Sequence, residues 1–315
     1  MIRTVLGDIP AGCLGHTQCH EHLFIAKGKP FAVNPALYMD SLPAGEAELR
    51  AYAGAGGGAL VDAQPVFCGR MPRALRAAAQ HTGVPILAVT GAHKLAFYPE
   101  TAPVFTLSED ALYRLFRDEV QTGMLDAAGV PTGIRAGLVK IALDAPGAGQ
   151  SPVYGKLYRA AAAAAKETGA ALMVHTEAGA DVLGAVRWLE GQGVPPRRLI
   201  LCHLERAWND LVYHREALES GAYLCYDSVN RPQYLSQARE LAFFQQAVGL
   251  GRGGQVLLGL DTTRARLRAY GADMGLDFIL TTFLPALRQA GISQESIGAF
   301  TRKNPARALK MEPTA

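Results

Sequence analysis

Eight short apolar runs, each followed by a loop and then a helical pattern, constrain this chain more than any other feature. They are GHTQCHEH (15–22), GALVDAQ (58–64), PILAVTG (85–91), AGLVKIAL (136–143), ALMVHTE (171–177), LILCHLE (199–205), AYLCYDS (222–228) and QVLLGLD (255–261). Most are too continuously apolar to lie half exposed, which points to parallel strands covered on both faces. Between them run helical stretches such as MPRALRAAAQHTG, SEDALYRLFRDEVQTGMLDAAG, SPVYGKLYRAAAAAAKETG and ADVLGAVRWLEGQG. Several open on Ser or Asp and stop at Gly, the expected cap signals. Strand and helix alternating in this way predict an α/β fold, a (β/α)8 TIM barrel, formed by residues 1–315 as a single domain. No Pro- or Ser-rich linker divides the 315 residues, and 49% hydrophobic against 19% charged residues suits one large core.

The bulk properties also exclude classes of partner. The formal charge of +3 is small for this length and no run of lysines or arginines occurs, so neither nucleic acid nor an anionic membrane is expected. MIRTVLGDIP has no apolar stretch of signal-peptide length, and no segment approaches the ~20 residues of a membrane span. The five cysteines include no C-x-x-C pair, and Cys202 and Cys225 fall inside apolar strands, where they read as buried small hydrophobes. A reduced, cytoplasmic chain acting on a small molecule is the expectation.

Catalytic groups in such barrels come from the C-terminal ends of the strands. Here the polar residues gather at those ends, after apolar starts: His20 and His22, Gln64, His93, Lys140, His175, His203, Asp227 and Asp261. His20 and His22 are alternate residues of one strand, so both imidazoles project from one surface and offer a seat for a borderline metal such as zinc. All the later strand-end groups from Lys140 onward except Asp227 are residue types that complete a two-metal hydrolase centre. Lys140 stands inside LVKIAL, where an unpaired ammonium is costly. It either pairs with Asp261 or is neutralised and used as a ligand. Glu21 alternates away from the two histidines and should face the helical layer. His16 lies at the wrong end of the barrel, and His81 and His214 fall in helices as surface or packing residues.

These residues resemble the phosphotriesterase-like group of the amidohydrolase superfamily. The resemblance runs nearly end to end, through RTVLGDIP…GHTQCHEH, GIRAGLVKIA, MVHTEAG, LCHLER, LLGLD and the closing GISQESIGAFTRKNPARAL. It implies two divalent ions, with zinc expected and manganese or iron as alternatives. His20, His22 and Asp261 would bind the buried ion, and His175 and His203 the more exposed one. Lys140, as a carbamate, would bridge both. A hydroxide between the ions would be the nucleophile, with Asp261 as general base. A homodimer is implied by the resemblance as well.

The resemblance further implies ester hydrolysis, of lactones or of phosphoesters, and the loops decide between them. HKLAFYPE, ERAWND, DSVNRPQYLS and TTRARLRAYGADMG put Lys94, Arg206, Arg231 and Arg264 near the mouth, with His93, Tyr98, Tyr226 and Trp208 beside them. Arginine forks match phosphate or carboxylate oxygens, so this set suits an anionic substrate. The loop after Tyr226-Asp227 lacks the aspartate–arginine pair of homoserine-lactone hydrolases, and the loops are too charged for an organophosphate pocket. An anionic or phosphorylated sugar lactone is the first expectation. A phosphotriester or an N-acyl amino acid amide is the alternative on the same centre. A metal-dependent nuclease would carry glutamate where Lys140 stands and a more basic groove, and a non-enzymatic binding protein would have lost ligand positions that are all filled here.

Overall fold

The computed structural model describes residues 1–144 and 151–312. A short antiparallel hairpin, β1 (Ile2–Thr4) and β2 (Gly7–Ile9), precedes eight parallel strands. These are β3 (His16–Glu21), β4 (Gly57–Asp62), β5 (Ile86–Gly91), β6 (Leu138–Leu143), β7 (Ala171–Thr176), β8 (Leu199–Cys202), β9 (Tyr223–Tyr226) and β10 (Val256–Leu258). They pair in strict chain order, the topology of the (β/α)8 barrel that the alternating pattern predicts.

Alternation along each strand sorts side chains into two separate apolar regions. One, with Val61, Val89, Leu138, Met173, Ile200, Cys202, Cys225 and Leu257, fills the barrel interior. The other, with Leu60, Val139, Leu172, Leu201, Leu224 and Leu258, meets the surrounding helices. That second layer is why the strands read as unbroken hydrophobic runs: both of their faces are buried. The helices Leu42–Gly54, Glu109–Gln121, Pro152–Thr168, Val182–Gly191 and Gln237–Gly249 begin at Ser41, Ser108, Ser151, Asp181 and Ser236, whose side chains accept backbone N–H groups of the first turn. The helical stretch expected over 108–129 stops at Gln121. Gly123 adopts a φ of +155°, and a Cβ there would lie 2.8 Å from the Gly133 backbone, so the chain turns away instead. No helix among the described residues is long and apolar enough to cross a membrane.

The last three barrel strands are shorter than the apolar runs suggest. β8 ends at Cys202, directly before His203, which takes a left-handed backbone conformation with φ of 64°; β10 ends at Leu258, three residues before Asp261, whose φ is 48°.

Closure of the barrel falls in the same place. The Asp261 N–H donates to the His20 carbonyl at 3.0 Å, and the buried Glu21 carboxylate accepts the N–H groups of Leu260 (2.7 Å) and Thr262 (3.3 Å). The Thr262 hydroxyl receives the His22 N–H at 3.0 Å and donates to the His22 carbonyl at 2.9 Å. Glu21 therefore faces outward to the seam, as its alternation requires, and replaces ladder partners that β10 is too short to supply.

Gly259 makes this approach possible, since a Cβ on it would lie 2.8 Å from the His20 carbonyl oxygen and 3.1 Å from the Asp227 side chain. Gly259→Ala should lower unfolding stability by about 1–3 kcal/mol, as overpacking of a close-packed interior does. A denaturant titration in which this variant matches wild type would show that the seam has slack.

Candidate active site

At the C-terminal mouth of the barrel four imidazoles converge. The rings of His20 and His22 lie 5.6 Å apart, His20 and His203 4.6 Å, and His175 and His203 4.6 Å. Asp261 reaches in from the turn after β10, its Oδ1 3.7 Å from His20 Nε2 and 3.5 Å from His22 Nε2. Donor atoms of His20, His22 and Asp261 lie within 4.8 Å of one another, as a shared cation requires. Lys140, fully buried on β6, donates to the Ala63 carbonyl at 2.8 Å and, among the described residues, forms no ion pair with Asp261.

Asp227 organises two of these rings, a role the sequence reading did not give it. Its Oδ1 accepts from the His203 backbone N–H at 3.1 Å and from His203 Nδ1 at 2.6 Å, and its Oδ2 lies 2.9 Å from His20 Nδ1. The His203 ring is thereby held through Nδ1, leaving Nε2 for the centre, and the close approach to His20 Nδ1 leaves that ring's Nε2 facing Asp261. The signal was present in the alternation of β9: Cys225 and Asp227 share the interior face.

The donor set fits divalent ions. Among the described residues, four buried ring nitrogens of the cluster, His20 Nδ1 and Nε2, His22 Nδ1 and His175 Nδ1, have no hydrogen-bond partner; a cation beside Asp261 would satisfy His20 Nε2, and a second would satisfy His175 Nδ1. Burial favours the neutral, ligand-competent form in three of the rings, lowering His22, pulling His175 down to about 3 and His203 well below the usual range. Burial also lowers the Lys140 ammonium, which raises the share of free amine. For Asp261, burial favours the neutral acid, but neighbouring positive charge, the Arg231 guanidinium included, outweighs it and holds the carboxyl well below its ordinary value.

Over this cluster opens a cleft of about 350 Å³. His93, Lys94, Arg206 and Arg231 from the expected set line it, together with Glu177 and Tyr234, which the sequence reading did not single out. Lys94 pairs with Glu177 at 2.7 Å and lies over the Phe97 ring. Arg206 lies over Tyr234, its Nη1 3.5 Å from Asp261 Oδ2. Arg231 is 3.3 Å from the same oxygen and also donates to the Asp261 carbonyl.

Four aromatic or basic residues expected at the mouth are elsewhere. Tyr226 follows the alternation of β9 into the helical layer, where it packs on Phe243 and its hydroxyl meets His214 Nδ1 at 3.1 Å. Tyr98 is buried beneath its loop, accepting the His93 N–H and donating to the Val66 carbonyl. Arg264 stacks between Tyr38 and Tyr270, outside the cleft wall. Trp208 stacks on Tyr213 and donates to the Ala180 carbonyl. Loop position alone did not reveal these directions, which follow from local packing.

A parallel barrel with a histidine, carboxylate and lysine cluster in its mouth defines the class of metal-dependent barrel hydrolases. Within that class the chain belongs to the phosphotriesterase family, whose profile matches residues 1–309. It is 29% identical to a phospho-furanose lactonase of Mycoplasmopsis agalactiae, over 99% of this chain and 92% of that one. Among solved structures it resembles the lactonase Lmo2620 of Listeria monocytogenes, with a TM-score of 0.90 at 25% identity over 99% of both chains. It also resembles the phosphotriesterase homology protein of Escherichia coli, solved with phosphate in its active site, with a TM-score of 0.85 at 28% identity over 95% and 99% of the two chains.

Asp227→Asn keeps the shape but places an amide where a carboxyl group bonds His203 Nδ1 at 2.6 Å and lies 2.9 Å from His20 Nδ1. Metal affinity should fall about 10- to 100-fold, measured by competition with a chelator. Unchanged affinity would mean that the two rings hold their orientation without this carboxylate.

Proposed function

We propose that this chain is a binuclear metal-dependent lactonase acting on an anionic sugar lactone, with a phosphorylated one as the preferred substrate. The observation that carries this reading is the convergence of Lys94, Arg206 and Arg231 on the cleft that holds the histidine–aspartate cluster. Three cations there face two carboxylates, Glu177 and Asp261, so the wall favours a negative substituent even before any bound cation is counted. The names of its relatives, a phospho-furanose lactonase and a protein solved with phosphate at its active site, support the same chemistry.

His20, His22 and Asp261 would hold one ion and His175 and His203 the other, with Lys140 as a carbamate between them and zinc as the first choice. When bound, the two ions polarise the ester carbonyl and lower the pKa of water. The protein's own groups do the rest. Asp261, held ionised by the neighbouring arginines, is placed to accept the proton that water releases during attack. Arg231 and Arg206 fix its Oδ2, so they act on every substrate alike. Lys94, the one of the three cations whose pairing is with Glu177 rather than Asp261, is the cation assigned to the substituent. Water adds to the lactone carbonyl, the ring C–O bond breaks, and the released alkoxide takes a proton to give the hydroxy acid.

The test compares neutral lactones, phosphorylated sugar lactones, N-acyl amino acids and an activated phosphotriester under one set of conditions. Phosphorylated lactones should give the highest kcat/KM. Lys94→Ala should cost them roughly 10- to 100-fold, the worth of one charge-assisted contact, and cost neutral lactones far less. Equal losses on both would sink the charged-pocket reading.

Lys140 is tested separately. Lys140→Ala should abolish turnover and weaken metal binding, whereas Lys140→Glu, which restores an anionic oxygen, should retain more metal. Full metal content and rate in Lys140→Ala would rule out the carbamate.

A further inference from the structure

His175 differs from His203 and His20 in what stands beside it. Asp227 bonds His203 Nδ1 and lies 2.9 Å from His20 Nδ1, and among the described residues no contact joins Asp227 to His175. Instead His175 Nε2 lies 2.7 Å from Glu177 Oε1, two residues on, while its Nδ1 is buried with no hydrogen-bond partner among the described residues. A carboxylate only accepts, so this nitrogen carries the proton and Nδ1 presents a bare lone pair. Lys94 Nζ also lies 2.7 Å from that oxygen, and the Glu177 side chain lines the cleft wall.

We propose that Glu177 is a positioning residue of the metal centre, fixing the tautomer and angle of His175 so that Nδ1 is the donor that ring offers. The proposal rests on the binuclear reading and adds to it that the two rings assigned to the second ion are supported differently. His203 meets Asp227, a carboxyl group sealed inside the barrel, whereas His175 meets Glu177, which lines the substrate cleft. Replacing Glu177 should therefore loosen one ion and spare the other.

The experiment loads wild-type, Glu177→Ala and Glu177→Gln proteins with zinc and counts ions per chain across a chelator titration. Wild type should release two ions. Glu177→Ala should give up one of them about 10- to 100-fold more readily while the other stays at wild-type affinity. Glu177→Gln should stay close to wild type, because its amide oxygen still accepts the His175 N–H. Two ions held by Glu177→Ala at wild-type affinity would overturn the proposal. So would a Glu177→Gln variant as weak as Glu177→Ala, which would make the carboxylate itself a ligand. A wild-type protein binding fewer than two ions would overturn the binuclear reading first, and this assignment with it.

Discussion

Closure of the barrel between β3 and β10 is the constraint on which the remaining structure depends. A parallel barrel must bring its last strand back to its first, and here the last strand is only three residues long. The tripeptide His20-Glu21-His22 makes up the difference. Its middle residue points outward and accepts two amide N–H groups from the returning segment, while its outer residues point inward as candidate ligands. Burial pushes the Glu21 carboxyl up to about 8 against the pull of those N–H groups. Polar closure and the candidate ligands thus come from adjacent residues of one strand end, and neither can be moved without the other.

The second constraint is the cost of burying polar groups. Asp227, Lys140 and four imidazoles are all close to fully buried, in a barrel whose lower interior is aliphatic. Carboxylate-to-imidazole contacts settle part of that cost, and neutral rings settle more. The nitrogens left without partners mark where a cation belongs. At the cleft the balance reverses: Lys94, Arg206 and Arg231 are each countered by a carboxylate yet remain in reach of solvent and of a substrate.

Much of this was legible in the sequence because its signals are periodic. The eight apolar runs fixed the strand count, and a polar residue at the end of each marked the functional face. Alternation put Glu21 on the outer side, and the structure agrees. The same rule, applied to β9, would have sent Tyr226 outward and Asp227 inward; proximity to the mouth was weighed instead. Tyr98 and Arg264 could not have been placed that way, since they lie on loops with no period. Their partners, the Val66 carbonyl and the rings of Tyr38 and Tyr270, are distant in sequence. Glu177 was hidden for a different reason: its role depends on which ring nitrogen of His175 is free, a detail that appears only with the ring's orientation.

The left-handed turns at His203 and Asp261 carry a consequence for how this chain can change. Side chains with a Cβ occupy that region at a cost of about 1–2 kcal/mol, which glycine avoids. Both positions hold a polar residue whose side chain reaches the histidine–aspartate cluster, as no glycine could. A glycine at either would give a more comfortable backbone and a defective site. Drift toward greater thermal robustness is therefore opposed by function at these two corners, and consensus-style stabilisation would need to leave them alone. The barrel tolerates strain at the places where its chemistry is exerted, and relaxing it there would trade turnover for durability.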